Sequence, residues 1–215
     1  YRFDAGGAPE VIPTLTYENF CAFHRAYYSP SNARIFLYGN IGPAEHLAFL
    51  EEALAGFDAV TVDSVIPPQP RWNAPRTVRR DLPVAKDEDP RRGAVVNIAW
   101  MLSENTEGMT SLLLQILANI LVGCAAGPLR KALIDSRLGE DLSPVTGFER
   151  DYRQTVFVVG LRGTCEDRAK EIETLVLRTL AAIVDKGVDR DLIEATLHQV
   201  EFGGKEINRS AYPFG

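Results

Sequence analysis

From Met109 onward apolar residues recur at every third or fourth position: Met109, Leu112, Leu113, Ile116, Leu117, Ile120 and Leu121. That spacing predicts a helix over residues 107–122 with one broad face to bury. The pattern stops at Gly123, where Gly123-Cys124-Ala125-Ala126-Gly127-Pro128 carries hardly any side-chain bulk. Such a run allows close backbone approach, with Gly123 and Gly127 supplying turn geometry and Pro128 suiting the first turn of a new helix. That helix, Leu129 to Leu138, is expected to end at Gly139 as its left-handed terminator. Pro144 to Phe148 and Gln154 to Leu161 then alternate as strands, joined by a turn through Tyr152 and Arg153. Thr164 and Asp167 form a capping-box-like start for a helix with Ile172, Val176, Leu180 and Ile183 on its core face. Asp189 caps a last helix bearing Leu192, Ile193, Leu197 and Val200.

Upstream the pattern is weaker. Thr16 is placed to cap a helix carrying Phe20, Phe23, Tyr27 and Tyr28, which Ser29-Pro30 ends. Ala33 to Tyr38 is a short apolar run of strand type, and Gly42-Pro43 opens a second helix with Leu47, Leu50 and Leu54 on one face. Residues 58–75 hold Pro67, Pro68, Pro70 and Pro75 and read as a linker. Beyond it, Arg76 to Val84 and Gly93 to Leu102 are expected to pair as strands across a charged loop at Lys86 to Arg92. The organisation is therefore residues 1–57 as the C-terminal part of a first α+β domain, a 58–75 linker, and residues 76–215 as a second α+β domain, truncated at its end. A lone strand in the first part cannot make a sheet. The order in the second part predicts a two-layer, antiparallel-rich sheet with helices on one face.

Composition narrows the functional classes. The hydrophobic content of 46% supports a real core, and the net charge of −6, with no basic patch, argues against nucleic acid. No uninterrupted apolar run reaches about 18 residues, so no membrane span is expected. Three cysteines with no close pair read as free thiols, which favours a reducing, cytoplasmic setting for a soluble chain. Tyr1-Arg2-Phe3-Asp4 is neither a signal peptide nor an initiator sequence, so an internal fragment is expected.

Several stretches carry a resemblance. They are Gly127-Pro128-Leu129-Arg130-Lys131-Ala132-Leu133-Ile134-Asp135, Leu138-Gly139-Glu140-Asp141 and Asp151-Tyr152-Arg153-Gln154. Gly6-Gly7-x-Pro9-Glu10-Val11-Ile12-Pro13, Tyr27-Tyr28-x-Pro30-x-Asn32-Ala33-Arg34 and Leu197-His198-Gln199-x-Glu201-Phe202 add to them. Together they run through most of the chain in one order and resemble the pitrilysin/insulinase superfamily of zinc peptidases, in its presequence-protease branch. Position 5 is Ala where the resemblance leads one to expect Ser. The resemblance implies a half-molecule of two duplicated α+β domains with ferredoxin-like elements, and peptides degraded inside a closed chamber.

It also implies an inverted zinc motif, H-x-x-E-H, whose paired His hold zinc while the Glu activates water. The chain has only His24, His46 and His198, none followed four residues later by His; Phe202 stands in that place after His198. No catalytic and no metal residues are expected here, and the zinc of the parent enzyme would lie on preceding sequence. Gly6, Gly7, Tyr152 and Arg153 are the residues expected to line a substrate chamber. Expected partners are peptide substrates of the parent and the remaining halves of the same polypeptide, with self-association if the chain stands alone. Two other readings stay open: a fragment of an inactive homologue acting as a partner subunit, and a stand-alone ferredoxin-like binding module.

Overall fold

A computed structural model describes residues 6–83 and 89–206. Tyr1 to Ala5, the centre of the charged loop at Lys86 to Glu88, and Tyr212 to Gly215 lie outside the described residues. The chain divides into two compact units, Tyr1–Pro67 and Pro68–Gly215, with the division inside the 58–75 stretch.

The first unit holds α1 (Tyr17–Tyr27) and α2 (Pro43–Leu54). Thr16 caps α1, its hydroxyl accepting from the Asn19 N–H at 3.2 Å. Pro43 opens α2, where a missing N–H costs nothing. The Ser29 to Asn32 corner is a polar hub. Asn32 Nδ2 donates to the Tyr27 carbonyl at 3.0 Å, Ser64 Oγ donates to Asn32 Oδ1 at 2.8 Å, and the Val60 N–H donates to Ser31 Oγ at 3.0 Å. Ala33 to Tyr38 is not a strand: no ladder partner exists among the described residues, and Phe36 and Tyr38 are 88% and 87% exposed. An apolar run makes a strand only when another strand answers its backbone.

The second unit is an open antiparallel sheet with a helical layer. Its strands are β1 (Ala94–Glu104), β2 (Asp141–Leu142), β3 (Gly147–Glu149) and β4 (Gln154–Thr164). β4 is the axis. β1 pairs along one side of it, and the short β2 and β3 share the other. The β1–β4 register sets Trp100 opposite Phe157, whose rings stack at 5.9 Å. Gly160 lies opposite Asn97, and a Cβ there would overlap the Val96 carbonyl oxygen, so the pairing needs glycine. Thr155, Phe157, Val159 and Leu161 are buried, as the period of two requires.

The helices are α3 (Gly108–Ala118), α4 (Pro128–Ser136), α5 (Ala169–Lys186) and α6 (Arg190–Lys205). Leu129 and Leu133 of α4 and Ile172 and Val176 of α5 are fully buried against β4. The broad apolar face expected over residues 107–122 is buried only at its C-terminal end. Met109, Leu112, Leu113 and Leu117 are exposed, while the burial falls on Ala118 and on Ile120, Leu121 and Val122. The latter three lie in a π-helical turn, Asn119–Gly123, that continues α3. Periodicity identifies an apolar face without saying what covers it. Gly108–Ser136 is long and apolar enough by length and composition to cross a membrane, although polar residues interrupt its apolar runs. Extended backbone at Cys124 breaks its helix, and α4 contributes core residues.

Four local expectations also change. Arg76 to Pro83 is not a strand among the described residues. Thr164 ends β4 instead of capping a helix, because its hydroxyl donates to the Leu138 carbonyl at 2.6 Å. A short 3-10 turn, Glu166–Arg168, then leads into α5. Arg137, not Gly139, terminates α4 in the left-handed region at φ 56°. Gly139 serves close approach instead: a Cβ there would lie 2.8 Å from the Arg162 carbonyl oxygen and 2.9 Å from Leu161 Cβ. Gly123 and Gly127 adopt no positive φ. Gly127 is required by proximity, since a Cβ would meet the Leu121 carbonyl oxygen at 2.7 Å.

Candidate functional site: the sheet end and the glycine turn

One end of the sheet gathers Tyr152 and Arg153. They sit in the bend between β3 and β4, where Asp151 N–H donates to Glu149 Oε1 at 2.9 Å. The bend is tied to the end of β1. Asn105 N–H donates to the Arg153 carbonyl at 2.8 Å, and Arg153 Nε donates to Glu104 Oε2 at 3.2 Å. Thr155 Oγ1 donates to the Ser103 carbonyl at 3.0 Å on the next rung. Arg153 is thus half-buried and committed to Glu104, a structural ion pair, while Tyr152 remains 43% exposed.

The same end holds residues the sequence reading passed over. Gln69 N–H donates to Gln154 Oε1 at 2.6 Å, and Gln154 Nε2 donates to the Gln69 carbonyl at 3.1 Å. The Gln154 amide therefore satisfies both backbone groups of a residue between prolines. Arg71 donates to the carbonyls of Met101 at 3.3 Å and Leu102 at 2.9 Å. Proline removes donors from this stretch, so the side chains supply what a ladder would. Gln between Pro68 and Pro70 was the available signal.

Gly6 and Gly7 belong to the first unit and are described there alone. Gly7 has φ 80°, a conformation that favours glycine, and a Cβ would press on the Ile12 side chain at 3.2 Å. This turn precedes a 3-10 turn, Ile12–Thr14. The geometry explains the second glycine without invoking a ligand.

The three histidines lie apart from any donor set. His24 of α1 stacks at 4.8 Å on Tyr28, the residue that follows the helix, His46 is in α2, and His198 is exposed on α6. Among the described residues no three or more His, Cys, Asp or Glu side chains gather where they could hold a metal ion. The residues present do not fit the zinc that the superfamily implies. Cys21, Cys124 and Cys165 are unpaired and half-buried. Two charged groups are shifted from their ordinary values. Asp141 is held low by the Leu142 N–H and by Arg162, and Lys131 is held high by Asp135.

The described residues thus form an α+β chain of two units. A family model described as the peptidase M16 inactive domain matches residues 14–200, and the chain belongs to that family. Its relatives place it in the presequence-protease branch. It is 36% identical over 212 residues to the mitochondrial presequence protease of Xenopus laevis, covering 98% of this chain and 21% of that protein. It is 37% identical over 218 residues to presequence protease 1, chloroplastic/mitochondrial, of Arabidopsis thaliana, covering 100% of this chain and 20% of that protein. Protein HypA of Clostridium perfringens (strain 13 / Type A) is 35% identical over 216 residues, with 100% and 22% covered. The chain spans about a fifth of the length of these curated relatives. The crystal structure of an M16-like peptidase from Alicyclobacillus acidocaldarius shares the fold, with a TM-score of 0.59 and 16% identity over 94% of this chain and 47% of that one.

Proposed function

We propose that this chain is an internal, non-catalytic portion of a zinc-dependent metalloendopeptidase that degrades short unfolded peptides in a closed chamber. The match of residues 14–200 to an inactive M16 domain carries the reading. The full-span likeness to presequence proteases supports peptides as the substrate class. In this reading the paired His, the water-activating Glu and the zinc belong to other parts of the same polypeptide. When bound there, the metal would polarise the scissile carbonyl and activate water. The present chain would contribute wall, with Tyr152 its exposed aromatic at the sheet end. The remaining halves of the polypeptide are its partners, and the cytoplasm is the location favoured by its free thiols.

The test compares residues 1–215 with the full-length protein, measuring zinc content and cleavage of an unstructured fluorogenic peptide. Chelator-sensitive turnover is expected from the full-length protein and none from residues 1–215. Turnover with one bound zinc in residues 1–215 would overturn the reading. A full-length protein that binds no zinc and cleaves nothing would instead make the chain part of an inactive homologue.

A further inference from the structure

A cavity of about 630 Å³ opens in the second unit, away from Tyr152 and the sheet end. It lies where three chain segments meet: the 3-10 turn Pro90–Arg92, the corner after α4, and the turn Glu166–Arg168 before α5. Four guanidinium groups line it, from Arg91, Arg92, Arg137 and Arg168, against two carboxylates, Asp89 and Asp167. The chain as a whole carries a net charge of −6, so this excess of positive charge is local.

Three of the four arginines are answered within the fold. Arg91 Nε pairs with Asp89 at 3.6 Å, and Arg92 with Glu140 at 2.8 Å. Arg168 Nη1 donates to the carbonyls of Arg137 and Leu138, both at 3.4 Å. Among the described residues Arg137 has no ion pair and no side-chain hydrogen bond, and it lines the cavity. It is also the one non-glycine residue with positive φ among them. That conformation costs about 1–2 kcal/mol in an ordinary residue and persists only where neighbours impose it. The neighbours are visible: the Arg168 bonds to this corner, and the Thr164 hydroxyl on the Leu138 carbonyl at 2.6 Å. The bracing fixes a strained arginine where a glycine would sit without strain.

We propose that this cavity binds a carboxylate, with Arg137 as its principal partner. A guanidinium presents two parallel N–H donors matched to the two oxygens of a carboxylate, and it stays charged at all relevant pH. Asp89, Glu140 and Asp167 offset the three surrounding arginines, so Arg137 is the cavity's uncompensated positive charge. Gly139 and Gly163 also line it, and a Cβ at Gly163 would run into the Glu140 side chain at 2.5 Å. The carboxylate has two sources of the same chemistry, the C-terminus of a peptide and a small polycarboxylic acid. The proposal stands on this cavity and not on the peptidase reading.

Calorimetric titration of the full-length protein distinguishes them with three probes: a hexapeptide with a free C-terminus, the same hexapeptide amidated, and citrate. Binding is expected for the free acid or for citrate, with the amide weaker than the acid by about tenfold or more if the peptide is the ligand. Arg137→Gln should weaken the bound probe by about tenfold. Arg137→Gly should weaken it equally while leaving thermal stability intact or raised, because glycine relieves the positive φ. That variant separates loss of binding from loss of fold. Arg190→Gln, on α6 and paired with Glu194, should change nothing. The proposal fails if neither carboxylate binds at about 10 mM. It also fails if acid and amide bind equally with no citrate binding, or if the Arg137 variants bind as the parent does.

Discussion

Residues 6–67 and the second unit are built from similar apolar material and end in different states. In the first, Phe20, Phe23, Phe36, Tyr38 and Phe49 are all exposed, and no described residue is buried. In the second, Leu129, Leu133, Val159, Leu161, Ile172 and Val176 reach full burial. The difference is the sheet. β4 gives four facing side chains a common plane, and α4 and α5 cover it; among the described residues Ala33 to Tyr38 has no neighbouring strand to make a plane with. Hydrophobic content becomes a core only when backbone polar groups are satisfied at the same time.

The comparison can be broken most directly at Leu133. Leu133→Ala should cost about 2–5 kcal/mol by chemical denaturation of the second unit, since the residue is fully buried. A loss near zero would mean the core is loosely held. Gly127→Ala comes next. Its methyl would meet three backbone carbonyl oxygens, Leu121, Cys124 and Ile120, at 2.7–3.0 Å, so a loss of about 1–3 kcal/mol is expected. In the first unit Phe36→Ala should move stability by no more than about 0.5 kcal/mol, as for an exposed surface position. A large loss there would show that something covers the phenyl ring in solution.

The smallest effect is electrostatic. Asp141 joins β2 to β4 through Arg162 at 3.2 Å, and its carboxyl is held below the ordinary aspartate range. A group with a depressed folded value stabilises above its unfolded value, about 4, and loses that as pH falls through the folded one. Protection of the Leu142 amide, taken relative to its intrinsic exchange rate at each pH, should therefore fall on acidification below about pH 4, and Asp141→Asn should remove that dependence.

Much of the second unit was legible in the sequence. β1 and β4 were placed within a few residues because their alternation is long and one-sided. Asp189 capped α6 as expected, its carboxylate accepting from the Asp191 and Leu192 N–H groups at 2.8 and 3.4 Å. The misreadings share a cause, which is competition for a group that local pattern assigns once. The Thr164 hydroxyl was claimed by Leu138, and Gly139 by the approach to Arg162. The left-handed corner then fell to Arg137, which no local rule favours. The bend that carries Tyr152 and Arg153 lies between the two strands as the spacing led one to expect. That Arg153 is spoken for by Glu104, 49 residues away, depends on the strand register and is invisible to spacing.

The Gln69–Gln154 pair has a consequence for how the molecule keeps to itself. An exposed sheet end offers unpaired backbone groups on which a second chain can grow. Here the neighbouring backbone is bracketed by Pro68 and Pro70, which have no N–H to offer. The hydrogen-bonding groups of Gln69 between them are already taken by the Gln154 amide. Arg71 occupies carbonyls at the end of β1 in the same way. A segment so arranged occupies backbone groups at the end of β1 and has no free ladder of its own to offer a further strand.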